Sequence, residues 1–313
     1  MLLRTDAVPH TWPNSVPSRT GRRDSRAHPF LLMPAFLLAF VLSGCVTSVT
    51  PAPAVNALDA NASADTAHAP HELIVFAAAS LTDAMTDLEQ IFEAAHPGVD
   101  VLMNFGGSSR LATQLQEGAP ADVFASANET QMANVADAGL VVGTPHLFAS
   151  NRLVIITPAA NPAGIETMAD LAQPGVSLIL AVPGVPIRDY SDRIIAGLST
   201  PAALGADFAD AVYANLVSEE DNVRQVVAKV ALGEADAGMV YTSDVTPDVA
   251  DDLLTVAIPD AVNVVALYPI TQLTGGQAPE LGAAFVDLVL SEEGRAVLAK
   301  WGFGPVDAAT TGE

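Results

Sequence analysis

Two strand-to-helix junctions of the same design constrain the fold of this chain more than any other feature. Residues 73–80 and 101–108 each pass from apolar strand formers through small residues to a serine, Ser80 or Ser108, where helical spacing begins. Serine is a good N-cap, and the first N–H groups of a helix have no partner within it. Such helix ends favour anions, so two of them with two hydroxyl donors predict an oxyanion site. The alternative is two ordinary turns.

Strand and helix signals alternate along the rest of the chain, which predicts α/β layers with mostly parallel sheets. The pattern changes near residue 150, where a second α/β series begins, and the last two helices indicate a return to the first half. The predicted helices are 81–95, 109–117, 129–138 capped by Asn128, 166–172, 187–198, 206–213, 221–232, 279–290 and 292–301. The predicted strands after residue 98 are 99–105, a short one within 118–127, 148–157, 177–182, 213–217, 237–241, 253–258 and 262–267.

The first 44 residues have the pattern of a secretory signal. A basic stretch at 19–26 precedes an apolar run at 30–42 that is too short to span a bilayer comfortably. Leu42-Ser-Gly-Cys45 follows, and it resembles the bacterial lipobox, in which the cysteine carries the lipid. Cys45 is the only cysteine of the chain, which favours this dedicated role over a disulfide. An uncleaved anchor or a core helix is the alternative.

Residues 45–70 are predicted to form a flexible tether. They consist mainly of Ala, Thr, Pro, Ser, Asn and Asp without a periodic apolar face, so burial cannot offset the entropy of ordering them. A lipid at Cys45 and this tether would place the folded part in the cell envelope, at the outer face of the cytoplasmic membrane or in the periplasm.

The charge of the chain excludes one class of partner. The net charge is −23, and five of the 13 basic residues lie in the first 44 positions. Nucleic acid is therefore not expected, because no basic patch remains to replace its counterions. An anion would also be repelled at long range, so an anion site must depend on local dipoles.

Seven short motifs together resemble one family, the molybdate/tungstate-binding proteins of ABC transporters, over residues 71–304. They are Phe76-Ala-Ala-Ala-Ser80-Leu-Thr, Phe105-Gly-Gly-Ser108-Ser109-Arg-Leu-Ala, Gly118-Ala-Pro-Ala-Asp122-Val-Phe, Val185-Pro186 with Tyr190, Asp221-Asn-Val-Arg224, Gly238-Met-Val-Tyr241-Thr-Ser-Asp244 and Trp301-Gly-Phe303. The resemblance implies a two-lobed periplasmic-binding-protein fold of class II type. Lobe 1 would comprise 71–151 and 267–313, lobe 2 would comprise 152–266, and hinges would lie near 150–153 and 267–270.

The resemblance also implies a function and a ligand set. A monomer without a cofactor, a free metal cation or a catalytic activity would close on molybdate or tungstate and deliver it to a membrane permease. Ser80 and Ser108 would donate hydroxyl and backbone N–H groups, with Ser109 as the alternate to Ser108. The backbone N–H groups of Ile187 and Val223 and the phenol of Tyr241 would complete the site. Asp122 and Asp244 are interpreted as structural, because a carboxylate facing a dianion is unfavourable.

One stretch departs from the family pattern, since Ile187-Arg188-Asp189 stands where small residues are usual. Arg188 could strengthen anion binding, pair with an acid across the cleft, or face solvent beside Asp189. The solvated position is the one expected, because exposed ion pairs contribute little.

Other functions fit the sequence less well. An α/β hydrolase using Ser80 or Ser108 would need a nearby histidine, and His71, His96 and His146 all lie away from the serine motifs. A ferric ion would need clustered tyrosines, histidines and carboxylates. Another oxyanion, such as sulfate or phosphate, remains the main alternative ligand.

Overall fold

The computed structural model describes residues 71–306. The predicted signal peptide, the lipid-attachment residue Cys45 and the tether lie outside the described residues. Between residues 71 and 306, no helix combines the length and the apolar character needed to cross a membrane.

The described chain alternates strands and helices, as the sequence predicts. The strands are β1 (His71–Ala78), β2 (Val99–Gly106), β3 (Val123–Ala125), β4 (His146–Pro158), β5 (Leu178–Ala181), β6 (Leu216–Glu220), β7 (Ala237–Tyr241), β8 (Leu253–Ala257) and β9 (Val265–Gln272). The helices are α1 (Thr82–Ala95), α2 (Ser108–Gln116), α3 (Glu129–Asp137), α4 (Pro186–Leu198), α5 (Phe208–Ala214), α6 (Val223–Ala231), α7 (Pro279–Leu290) and α8 (Glu292–Lys300).

The long strand β4 joins two sheets. Its first half, up to Arg152, pairs with β9 in a sheet ordered β2-β1-β3-β9-β4. From Leu153 onward it pairs with β7 and β8, in a sheet that continues to β5 and β6. We call the first sheet with its helices the first lobe and the second the second lobe.

The predicted parallel pairings are present in both lobes. β1 pairs in parallel with β2 and β3, and β5 pairs in parallel with β6 and β7. Between the named strands, the antiparallel pairings all involve β4 or β9. The α/β class is therefore confirmed, with a mixed sheet at the centre.

Two strand predictions are wrong in position. Residues 213–217 were expected to be extended, but α5 continues to Ala214 and the strand is β6, because Phe208 and Val212 bury one face of that helix. The acidic end of β6 is tolerated since Glu220 pairs with Lys229 at 2.6 Å. Residues 262–267 predict only the start of β9, which continues through Pro269, whose carbonyl accepts the N–H of Ser126.

One 3₁₀ turn replaces a predicted helix, and two caps are as expected. Met168–Ala172 forms a 3₁₀ turn where a helix over 166–172 is predicted. Asn128 caps α3 by accepting the N–H of Gln131, and Gly139 follows that helix with a positive φ of 74°.

Asp122 has the structural role predicted for it. Its carboxylate is buried and accepts two backbone N–H groups, from Ile74 at 2.8 Å and from Ala278 at 2.7 Å. Asp122 therefore ties β1 to the residue that precedes α7.

Candidate functional site

A small cavity between the two lobes brings the predicted site residues together. Its volume is about 10 Å³, roughly the space that one ordered water needs, so it suits a compact ligand. The lining includes all five residues predicted to contact an anion: Ser80, Ser108, Ile187, Val223 and Tyr241. Ala78, Ala79, Gly106, Gly107, Ala127, Val185, Pro186 and Asn222 complete it.

The two serines reach the cavity, but neither caps a helix, so the capping prediction is wrong. Ser80 lies within a 3₁₀ turn before α1, and Gly107, not Ser108, is the N-cap of α2. The Ser80 hydroxyl lies 3.1 Å from the Tyr268 hydroxyl, and the Ser108 Oγ accepts the N–H of Ala127 at 3.0 Å. Ser109, the alternate to Ser108, does not line the cavity.

Ile187 and Val223 stand at the starts of two helices of the second lobe. Pro186 begins α4, and Val223 begins α6 after the N-cap Asn222, whose side chain accepts the N–H of Gln225. Both side chains are buried, so only the backbone of these residues is available to a ligand. Since N–H groups at a helix start have no intrahelical partner, these two are free to donate into the cavity that they line.

Tyr241 supplies a buried donor without a partner. It ends β7, only 1% of its surface is exposed, and its hydroxyl has no hydrogen-bond partner among residues 71–306. Burial raises the pKa of Tyr241 well above its usual value, and the neighbouring Tyr268 phenol adds to the rise without lying in hydrogen-bonding geometry, so the Tyr241 phenol keeps its proton. An unpaired buried hydroxyl is costly, which points to an acceptor that a ligand would provide.

The cavity lining is uncharged, and the nearest charges are held by one another. No Asp, Glu, Lys or Arg is among the described residues that line it. Arg224, next to Val223, forms an ion pair with Asp83 of α1, and its Nε lies 3.2 Å from the Asp244 carboxylate without alignment for a hydrogen bond. Arg224 thus connects the first lobe to the segment after β7.

Asp244 is structural, as predicted. It is fully buried, and its Oδ2 accepts the backbone N–H of Tyr241 at 3.0 Å. Burial raises the pKa of Asp244 to about 6, although Arg224 acts in the opposite direction. Asp244 therefore fixes the backbone that carries the Tyr241 phenol.

The expectation that Arg188 faces solvent is wrong. Only 9% of its surface is exposed, and it donates to Asp192 at 2.7 Å, to Glu219 at 2.5 Å and to the carbonyl of Ala181 at 3.0 Å. All three partners belong to the second lobe, so Arg188 fastens α4 to β5 and β6. It is not among the residues that line the cavity.

The two lobes are in close contact at Gly107. A Cβ atom at this position would lie 2.6 Å from the carbonyl oxygen of Asp221. Besides the Arg224–Asp83 ion pair, two hydrogen bonds cross the cleft: Gln131 donates to the carbonyl of Gly184 at 3.1 Å, and Tyr190 donates to that of Ala127 at 3.4 Å. The two lobes are therefore in contact beside the cavity.

Sequence reasoning missed the residues that support the site. Gly107 and Ala127 have no side-chain chemistry that would single them out as ligands, and the side chain of Asn222 is used to cap α6. Tyr268 contacts Ser80 across 188 positions of sequence, and no local pattern signals such a pair.

The residues needed for the enzymatic alternative do not meet. Ser80 and Ser108 line the cavity, but none of His71, His96 and His146 does. In the described part of the chain, no group of three or more His, Cys, Asp or Glu side chains is placed to hold a metal ion.

Comparisons with known proteins agree with this geometry. A family model described as bacterial extracellular solute-binding protein matches residues 73–304. The molybdate-binding protein ModA of Mycobacterium tuberculosis is 43% identical over 231 residues, which cover 74% of this chain and 84% of that protein.

Two solved structures share the fold. The substrate-binding domain of a putative molybdenum ABC transporter from Clostridium difficile has a TM-score of 0.56 at 28% identity, over 75% of this chain and 99% of that one. The sulfate-binding protein SubI of M. tuberculosis has a TM-score of 0.68 at 19% identity, over 77% and 89% of the two chains.

Two lobes that share the strand β4 around a small cavity of helix starts and hydroxyls define a two-lobed solute-binding protein. The chain belongs to the bacterial extracellular solute-binding protein family. The family resemblance seen in the sequence motifs is thereby confirmed.

The raised pKa of Asp244 predicts a pH-dependent stability. Because the folded protein binds this proton more tightly than the unfolded chain, the stabilisation is complete below about pH 4 and is lost as the pH rises through 6. The free energy of unfolding falls by about 3 kcal/mol at most because of this group. We expect Asp244→Asn to gain stability relative to wild type between pH 4 and 7, measured by urea unfolding. Parallel pH profiles for the two proteins would contradict this.

Proposed function

We propose that this protein captures molybdate or tungstate in the inter-lobe cavity and delivers it to an ABC permease. The observation that carries the proposal is the composition of the cavity. Five polar groups that can donate hydrogen bonds meet there, namely three hydroxyls and two helix-start N–H groups, and no charged side chain is among the described lining residues. A compact anion is the ligand that such a set of donors fits best.

The absence of acidic groups from the described lining favours a fully deprotonated anion. A protonated oxyanion would direct its own O–H at a donor and leave both unpaired, at a cost of about 1–3 kcal/mol. Discrimination between anions of equal charge would depend on cavity size and on the fixed positions of the donors.

The similarity to known proteins ranks the candidate anions. The relative at 43% identity is named for molybdate, whereas the sulfate-binding structure shares only the fold, at 19% identity. Molybdate and tungstate are therefore the first candidates, and sulfate or another oxyanion is the alternative.

We further propose that capture depends on closure of two lobes, 71–151 with 267–313 and 152–266. The support is the course of β4, which leaves the first sheet at Arg152, opposite Val265 of β9, and enters the second at Leu153, opposite Tyr241 of β7. Closure would exclude water and strengthen each hydrogen bond to the anion. One chain supplies every proposed contact, so a monomer suffices.

Calorimetric titration with molybdate, tungstate, sulfate and phosphate tests the proposed ligand. We expect saturable binding of molybdate or tungstate by the monomeric protein, and much weaker binding of the other two. Tight sulfate binding without a response to molybdate would reject the proposal and favour the alternative.

Removal of both serine hydroxyls is expected to weaken binding strongly. Ser80→Ala with Ser108→Ala should cost about 2–6 kcal/mol of binding free energy, because each lost donor to a charged group is worth about 1–3 kcal/mol. The Kd from calorimetry measures this. Ser199→Ala is the matched control, since the Ser199 hydroxyl donates to the carbonyl of Ile195 away from the cavity. An unchanged Kd in the double variant would remove both serines from the site.

A methyl group at Gly107 is expected to obstruct closure. The backbone there has φ −61° and ψ 130°, which alanine adopts freely, so the contact with Asp221 is the only cost of Gly107→Ala. Overpacking of this kind costs about 1–3 kcal/mol, and we expect the Kd to rise by roughly tenfold. Gly197→Ala is the control, because a Cβ there meets nothing within 4 Å. Equal Kd values for the two variants would contradict closure at this contact.

We also propose that Cys45 carries the lipid that holds the protein at the membrane. The support is the Leu42-Ser-Gly-Cys45 motif after an apolar run, in a chain with no other cysteine. Cys45→Ala should move the protein from the membrane fraction to the soluble fraction of producing cells, as seen by immunoblotting. Continued retention in membranes would indicate an anchor elsewhere.

A further inference from the structure

Tyr268 is a buried phenol that contacts one of the proposed ligand residues. It lies on β9, has no exposed surface, and does not line the cavity. Its ring packs edge-on against Phe148, Tyr241 and Phe303, at centroid distances of 6.3, 5.8 and 5.3 Å. Its hydroxyl lies 3.1 Å from the Ser80 Oγ, and either oxygen could be the donor.

The second serine shows which direction such a bond takes in this cavity. The Ser108 Oγ lies 3.0 Å from the backbone nitrogen of Ala127. A backbone N–H can only donate, so the Ser108 oxygen accepts this bond and its own proton remains free. Ser108 is thereby prepared to donate to a ligand in the cavity that it lines.

The side chain of Asn151 favours the same hydrogen-bond direction at Ser80, with the Ser80 oxygen as the acceptor. Its Oδ1 accepts from the Arg152 N–H at 2.9 Å and from the Thr242 hydroxyl at 2.7 Å, which fixes the orientation of the amide. Its Nδ2 therefore acts as a donor, to Ser243 at 2.8 Å and towards the Tyr268 hydroxyl. Burial raises the pKa of Tyr268 well above 10, although hydrogen bonding by Ser80 and Asn151 opposes it. Tyr268 therefore keeps its proton. Its hydroxyl can donate that proton in a hydrogen bond to Ser80.

We propose that Tyr268 is a positioning residue that donates to the Ser80 Oγ and so commits the Ser80 proton to the bound anion. This inference rests on the proposed function, because it assumes that Ser80 contacts an anion. Its consequence is that both serines present their protons to the ligand, because one oxygen accepts from a backbone N–H and the other from a phenol. The single proton of Ser80 is then not used within the protein.

Double-mutant cycles measured by calorimetry with sodium molybdate test this role. Tyr268→Phe retains the ring and should raise the Kd about three- to tenfold, as expected for one hydrogen bond. In a Ser80→Ala background it should have little further effect, because the oxygen it acts on is gone. In a Ser108→Ala background, the factors by which the two substitutions raise the Kd should multiply. A merely structural tyrosine would not distinguish between the two serines.

Tyr213→Phe is the matched control, since the Tyr213 hydroxyl donates to Asp192 away from the cavity. It should leave the Kd unchanged, and thermal unfolding of each variant verifies the fold. Equal effects of Tyr268→Phe in both serine backgrounds, or a wild-type Kd in Tyr268→Phe, would overturn the inference. If wild type binds sulfate and not molybdate, the proposed function fails, and the same cycles with sulfate still decide the role of Tyr268.

Discussion

The structure depends on a set of hydrogen-bond donors that lie together at one small cavity between the lobes. The phenol of Tyr241 is buried without a partner among the described residues, and Ile187 and Val223, at two helix starts, line the same cavity. Proteins normally pair such groups, because each unpaired one costs about 1–3 kcal/mol. Here the free-energy cost of unpaired donors arises at the cavity, where hydrogen bonds to an anion would remove it. The strands and helices around the cavity serve to aim these groups at one point.

The same concentration of neutral donors resolves an electrostatic conflict. A chain of net charge −23 repels anions at a distance, so attraction has to be local. Two acids close to the cavity residues are occupied: Asp83 and Asp244 face Arg224, and Asp244 also accepts the Tyr241 N–H. Arg188 is likewise held by Asp192 and Glu219. The proposed binding therefore involves no charged side chain among the described residues that line the cavity.

The sequence predicted those features that local patterns determine. Strand 237–241 and helix 279–290 have the predicted bounds, and Asn128 caps its helix, because apolar periodicity and capping residues act over a few positions. The five cavity residues were reached by resemblance to a family combined with the chemistry of helix starts. The serine hydroxyls were wrongly predicted to cap helices, since their partners, Ala127 and Tyr268, come from distant strands and loops. The burial of Arg188 was missed for the same reason, because Glu219 approaches it only through the sheet.

The continuous course of β4 limits how the molecule can be divided. The strand contributes hydrogen bonds to both sheets, and β9, α7 and α8 complete the first lobe only after the chain has passed through the second. The first lobe is therefore not one contiguous segment that could be transplanted into a chimera. The two halves are therefore inherited together. A new ligand preference would have to arise by substitution around the cavity, not by exchange of a lobe.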